Sequence, residues 1–114
     1  MNEKFIKNDF GKTRFDLIPP TAYRAIADVL TYGAKKYGPN NWCRGAEWSR
    51  YFAALERHLN NWKSGENNDL ESGLPHLAHA GCCNMFLLEY ELSQLGKDDR
   101  IFHDIEGNKC LFEK

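Results

Sequence analysis

Residues 57–89 read RHLNNWKSGENNDLESGLPHLAHAGCCNMFLLE, and the punctuation inside that stretch decides the fold. Ser64-Gly65 halts the segment before it, because glycine just past the last turn is a common helix stop. Pro75 opens the segment after it, because proline suits the first helical position. Between them GENNDLESG, residues 65–73, is acidic, polar and glycine-flanked, which is loop chemistry. After Pro75 the buried stripe runs through 76, 79, 80, 83, 87, 90 and 91, widened by Leu77, Phe86 and Leu88. That spacing predicts a helix over about 75–95, apolar on most sides between Ala78 and Leu88 and therefore the most buried element. Upstream, Tyr51, Ala54, Leu55, position 58 and Trp62 share one face of a helix over about 47–63.

Working outward, Pro19-Pro20 ends what precedes it and begins a further helix. Tyr23, Ile26, Ala27, Leu30 and Ala34 make its apolar face over about 20–36, with Gly33 as a possible break. Tyr37 to Trp42, YGPNNW, is turn chemistry. Residues 1–18 carry no helical stripe and form a polar, basic-leaning arm. Gly96 to Arg100 is a turn, and the segment from Ile101 to Phe112 reads either as a short hairpin or as an irregular tail. The expected fold is all-α: one domain over 1–114, with an arm at 1–18, a three-helix core at 19–95 and a tail at 96–114.

Charge narrows the function. Fifteen basic residues against 16 acidic give a net charge of −1, without the concentrated positive field that a nucleic-acid polymer needs. A small anionic ligand asks only for a local basic or metal site. Met1 to Phe10 has no apolar signal-peptide core, and no apolar run reaches membrane-spanning length, so a cytoplasmic protein is expected. Cys43, Cys82, Cys83 and Cys110 include no Cys-x-x-Cys pair, which argues against a zinc knot. Adjacent Cys82 and Cys83 read as small apolar core residues in a reducing compartment.

The chemistry-bearing residues fall on the buried stripes. Position 58 is a histidine on the face of Tyr51 and Leu55, and His76 and His79, three apart, share a face of the next helix. The short loop makes the two helices antiparallel neighbours. His58, His76 and His79 therefore converge with the loop carboxylates Glu66, Asp69 and Glu71. A single inward histidine is more often a satisfied core residue than a ligand, and Asp69 read alone is a helix cap. Three histidines beside three carboxylates are costly to bury unless they pair, bind a metal or react. Imidazole with carboxylate suits a divalent transition metal, for which Glu66, Asp69, His76 and His79 are the candidate ligands. Lys12, Arg14, Lys35 and Arg57 are candidate phosphate contacts. Tyr37, Trp42 and Trp62, with Tyr32, offer faces for a nucleobase, although each also reads as ordinary core or surface.

The segments GKTRFDLIPP, LTYGAKKYGPNNW and residues 57–89 together resemble the dATP/dGTP diphosphohydrolase N-terminal family of phage and bacterial proteins, over about residues 8–92. Arg57-His58, Trp62, Gly65-Glu66, Asp69, Glu71-Ser72-Gly73 and His76-x-x-His79 carry the resemblance. It implies kinship with all-α, MazG-like nucleotide pyrophosphohydrolases, which cut nucleoside triphosphates to monophosphate and pyrophosphate with a divalent metal. Magnesium, manganese and cobalt are the expected ions, a homo-oligomer the expected assembly, and control of a phage nucleotide pool in the host cytoplasm the expected role. The sequence departs from the wider MazG pattern. His76-x-x-His79 stands where Glu-x-x-Asp is expected, and Glu56 is followed three residues on by Leu59 rather than by a second glutamate. That departure keeps open a second expectation, a protein that binds and sequesters a nucleotide, including a signalling nucleotide of host defence, without cutting it.

Overall fold

A computed structural model describes residues 3–101. The expected hairpin or tail from Phe102 on, with Cys110, lies outside the described residues. The described chain is all-α: α1 spans Pro20–Tyr37, α2 Trp48–Lys63 and α3 His76–Ser93. Short 3-10 turns at Phe15–Leu17 and Asn41–Arg44 flank α1. The helix bounds fall within one or two residues of those expected, and Gly33 does not break α1. Helix three stops at Ser93 rather than 95 because Gln94 turns left-handed, at φ 55°. No helix among the described residues is long and apolar enough to cross a membrane.

Both α1 and α2 pack on α3, so α3 is central. On one side small residues let the helices approach: Ala78 and Cys82 of α3 pack with Val29 of α1, and Ala25, Ile26, Leu30, Leu74 and Phe86 close around them. A Cβ on Gly81 would meet the Ile26 side chain at 3.0 Å, so glycine there sets the α1–α3 spacing. On the other side Tyr51 of α2 packs against Phe86 and Tyr90, at ring-centroid distances of 5.0 and 5.6 Å. Tyr90 is fully buried, and its hydroxyl donates to the Trp42 carbonyl at 2.8 Å, satisfying a group that would otherwise be costly to bury.

The chain after α3 returns to the start of α2. Trp48 N–H donates to the Lys97 carbonyl, and Lys97 N–H to that of Ala46. The Trp48 indole N–H donates to the Leu95 carbonyl at 2.9 Å. Asp99 then accepts from both the backbone N–H and the hydroxyl of Ser49. No side chain within α2 caps that end, so Asp99 serves as its cap from the far side of α3. The turn needs Gly96 at φ 77°, because a Cβ there would land on the Ala46 carbonyl oxygen.

Helix three is the most buried element, as expected, but it is not covered on every side. Five of its residues are buried, namely His76, Ala78, Ala80, Cys82 and Tyr90. Yet Leu77, Met85, Leu88 and Leu92 remain 48%, 39%, 50% and 73% exposed. These four recur at helical spacing on one face, and neither α1 nor α2 reaches it. Phe5, Ile6 and Phe10 of the arm are also exposed.

Candidate functional site

The loop between α2 and α3 is tied down before it offers any side chain. Asp69 N–H donates to the Leu74 carbonyl, Gly73 N–H to that of Asp69, and His76 N–H to that of Asn67. This ladder holds the carboxylates over the last turns of α2 and the first turn of α3. There His58, His76 and His79 do converge. The rings of His58 and His79 stack at 4.5 Å between centroids, 8° from parallel.

Hydrogen-bond chemistry assigns the tautomers. His76 is 1% exposed, and its Nε2 lies 2.6 Å from Glu66 Oε1. A carboxylate only accepts, so His76 Nε2 carries a proton. Its Nδ1 faces His58 Nδ1 at 2.9 Å, and one of these two nitrogens donates to the other. Across the loop, Ser72 donates its hydroxyl proton to Asp69 Oδ2 at 3.0 Å, and Ser72 N–H reaches the same oxygen at 2.9 Å. The Ser72 oxygen is therefore an acceptor, taking Leu74 N–H at 3.1 Å and His79 Nε2–H at 2.7 Å. An Asp69–Ser72–His79 relay results, and it leaves Nδ1 of His79 as a free base.

Electrostatics bear on His58, His79 and Asp69. Burial first, then the neighbouring His79, holds His58 below its ordinary pKa. Burial likewise lowers His79, against the opposing pull of Asp69. Burial alone would raise Asp69, but the Ser72 N–H and O–H bonds and the two imidazoles outweigh it, and the carboxyl lies below its usual range. Neutral imidazoles beside an ionised carboxylate are the protonation state in which such groups ligate metal or accept protons. Among the described residues, His58, Asp69 and His76 place ligand atoms within 4.8 Å of one another.

Other expected residues lie elsewhere. Glu71 does not join the histidines. It accepts from the Tyr32 hydroxyl at 2.7 Å and pairs with Lys36 at 2.6 Å, bracing the loop against α1. The Lys36 bond, then that from Tyr32, holds the Glu71 carboxyl below its ordinary pKa. Tyr32 in turn sets its ring edge on His79, at 6.4 Å. Lys36 rather than Lys35 thus borders the site. Arg57 is exposed beside His58, Trp62 is 45% exposed, and Tyr37 packs against Lys36. Trp42 is half-buried and stacked on Phe86 at 5.9 Å, on the α3 side. Lys12 and Arg14 sit on the exposed arm, where Arg14 pairs with Asp16 at 2.8 Å. The sequence reading overlooked Ser72 as a working group. Its signal was Asp69-x-x-Ser72-Gly73, the spacing at which an aspartate side chain captures a backbone N–H three residues on.

A family profile described as dATP/dGTP diphosphohydrolase, N-terminal, matches residues 2–100. The chain is also 37% identical, over 95 residues, to a dATP/dGTP diphosphohydrolase of Salmonella phage PMBT28, an alignment covering 83% of this chain and 32% of that protein. The chain therefore spans about a third of the length of that relative. No solved structure matches it.

Proposed function

Since the chain belongs to the dATP/dGTP diphosphohydrolase N-terminal family, we propose that it hydrolyses purine deoxynucleoside triphosphates to the monophosphate and pyrophosphate. The observation that carries this reading is the free Nδ1 of His79, held by the Asp69–Ser72 relay. An imidazole kept neutral by burial and fixed in one tautomer is suited to take a proton from an attacking water. The products follow if that water attacks the α-phosphorus: its oxygen stays on the monophosphate, the α–β bridging bond breaks, and pyrophosphate leaves. His79 takes the proton at Nδ1 and passes it on as products depart.

Lys36, released from Glu71, together with Arg57, Lys35 and the arm residues Lys12 and Arg14, meets the phosphate charge. Tyr32 and Tyr37 at the α1 side, with Trp62, offer the base a stacking surface. His58, Asp69 and His76 fit a divalent ion in donor type and reach, with Glu66 bonded to His76 behind them. Such an ion would supply charge neutralisation at the phosphate oxygens. The exposed stripe Leu77, Met85, Leu88 and Leu92 supports a homo-oligomer, and the family supports a role in a phage nucleotide pool in the host cytoplasm.

The test is incubation of purified protein with dATP, dGTP, ATP and GTP and a divalent ion, followed by chromatography. Monophosphate with pyrophosphate, abolished in His79→Ala, is the expected result. Nucleotide retained unchanged on the protein would replace hydrolysis with sequestration.

A further inference from the structure

The histidine pair at the heart of the site has a chemical preference that the carboxylates alone would not have. We propose that the protein holds one six-coordinate divalent transition-metal ion on His58 Nδ1, His76 Nδ1 and Asp69, and takes it in preference to magnesium. This rests on the hydrolytic reading for the ion's purpose, but not for its binding.

Three observations carry it. The first is the donor set. His58, Asp69 and His76 bring ligand atoms within 4.8 Å of each other. Two imidazoles and one carboxylate, with other positions left open, suit iron, manganese or cobalt. Magnesium favours oxygen ligands alone. Both Ser72 bonds to Asp69 fall on Oδ2, which leaves Oδ1 for an ion.

The second is orientation. His76 is 1% exposed, and its outer nitrogen is bound to Glu66 at 2.6 Å. A carboxylate on the far nitrogen of a histidine fixes the tautomer, aims the other nitrogen at the metal and raises its basicity. Glu66 is thus a positioning residue rather than a ligand. The expected ligand set therefore changes: His58 enters, while Glu66 and His79 act beside the ion.

The third is spacing. The two Nδ1 atoms are 2.9 Å apart. With metal–nitrogen bonds of about 2.1 Å they subtend about 90° at a shared ion, the angle between neighbouring octahedral ligands. A tetrahedral zinc site would spread them to about 3.4 Å. Without an ion, one of the two nitrogens carries the proton of the bond between them.

The experiment is metal uptake with no nucleotide present. The full chain is stripped with chelator and dialysed against manganese or cobalt in a large excess of magnesium, and bound metal is measured by elemental analysis. One manganese or cobalt ion per chain is expected, with weak visible cobalt bands typical of six-coordination. His58→Ala should abolish uptake, and Glu66→Gln should weaken it by about 10–100-fold. Glu66 lies on the loop, so its variant keeps the test sound if His58→Ala fails to fold. No uptake, full displacement by magnesium, intense tetrahedral cobalt bands, or unchanged affinity in folded Glu66→Gln would each overturn the proposal. The two readings fail separately. Uptake without hydrolysis removes the enzyme and leaves the metal site, whereas turnover on magnesium with no transition-metal uptake does the reverse.

Discussion

Replacing Ser72 with alanine should damage the site without touching the histidines themselves. The Ser72 oxygen takes two donors, Leu74 N–H at 3.1 Å and His79 Nε2–H at 2.7 Å, and gives its proton to Asp69 at 3.0 Å. Alanine strands both donors and removes one of the two bonds to Asp69 Oδ2. A stranded donor costs about 1–3 kcal/mol when fully buried. Ser72 is only half-buried, so water recovers part of that, and we expect about 1–2 kcal/mol in total. For a chain of this size that lowers Tm by roughly 4–16 °C, at about 4–8 °C per kcal/mol. Urea unfolding followed by circular dichroism measures the loss. Nitrogen NMR of the imidazoles reads the second effect: wild-type His79 should be a single Nε2–H tautomer, and Ser72→Ala should turn it into a mixture. Ser72→Thr keeps the hydroxyl and should restore both readouts. Wild-type stability and an unchanged His79 tautomer in Ser72→Ala would refute the relay.

Further outcomes follow from other parts of the fold. Asp99 lies below its ordinary pKa chiefly because of the Ser49 hydroxyl bond. Its contribution is therefore complete above the unfolded pKa and is lost as pH falls through the folded one. Asp99→Ala should cost about 1 kcal/mol at neutral pH, a difference that shrinks toward zero as acid protonates the folded carboxylate, read in urea titrations at each pH. Gly96→Ala meets both a left-handed φ of 77° and the Ala46 carbonyl, and should lower stability by more than about 1 kcal/mol, whereas Gly65→Ala faces open space and should cost less in the same denaturation assay. Lys36→Met breaks the bridge to Glu71, whose partners are 43% and 62% exposed. Stability should therefore hardly move, while KM for a triphosphate rises and kcat changes little, as steady-state kinetics will register.

Much of this was legible in the chain, and the reasons are local. Pro19-Pro20, Ser64-Gly65 and Pro75 act on their own neighbours, so helix bounds could be read from them. The inward placement of His58, His76 and His79 follows from helical period alone. What the sequence concealed depends on distant partners. Nothing near Glu71 announces that it turns to Tyr32 and Lys36, which lie 39 and 35 residues away. The three loop carboxylates look equivalent in sequence, yet they divide among a histidine, a serine and another helix. The exposed face of α3 was not legible for a related reason. An apolar stripe states that a surface seeks cover, not that this chain supplies it.

The capping of α2 by Asp99 has a consequence for how the molecule is made. Asp99 stands 50 residues beyond the serine it binds. A ribosome therefore delivers α2, the site loop and all of α3 before it delivers the group that closes the first turn of α2. Until then the first-turn amides of α2 lack that acceptor. Chain order thus puts the chemistry before the clasp: the loop and all of α3 are made before the residue that closes the start of α2.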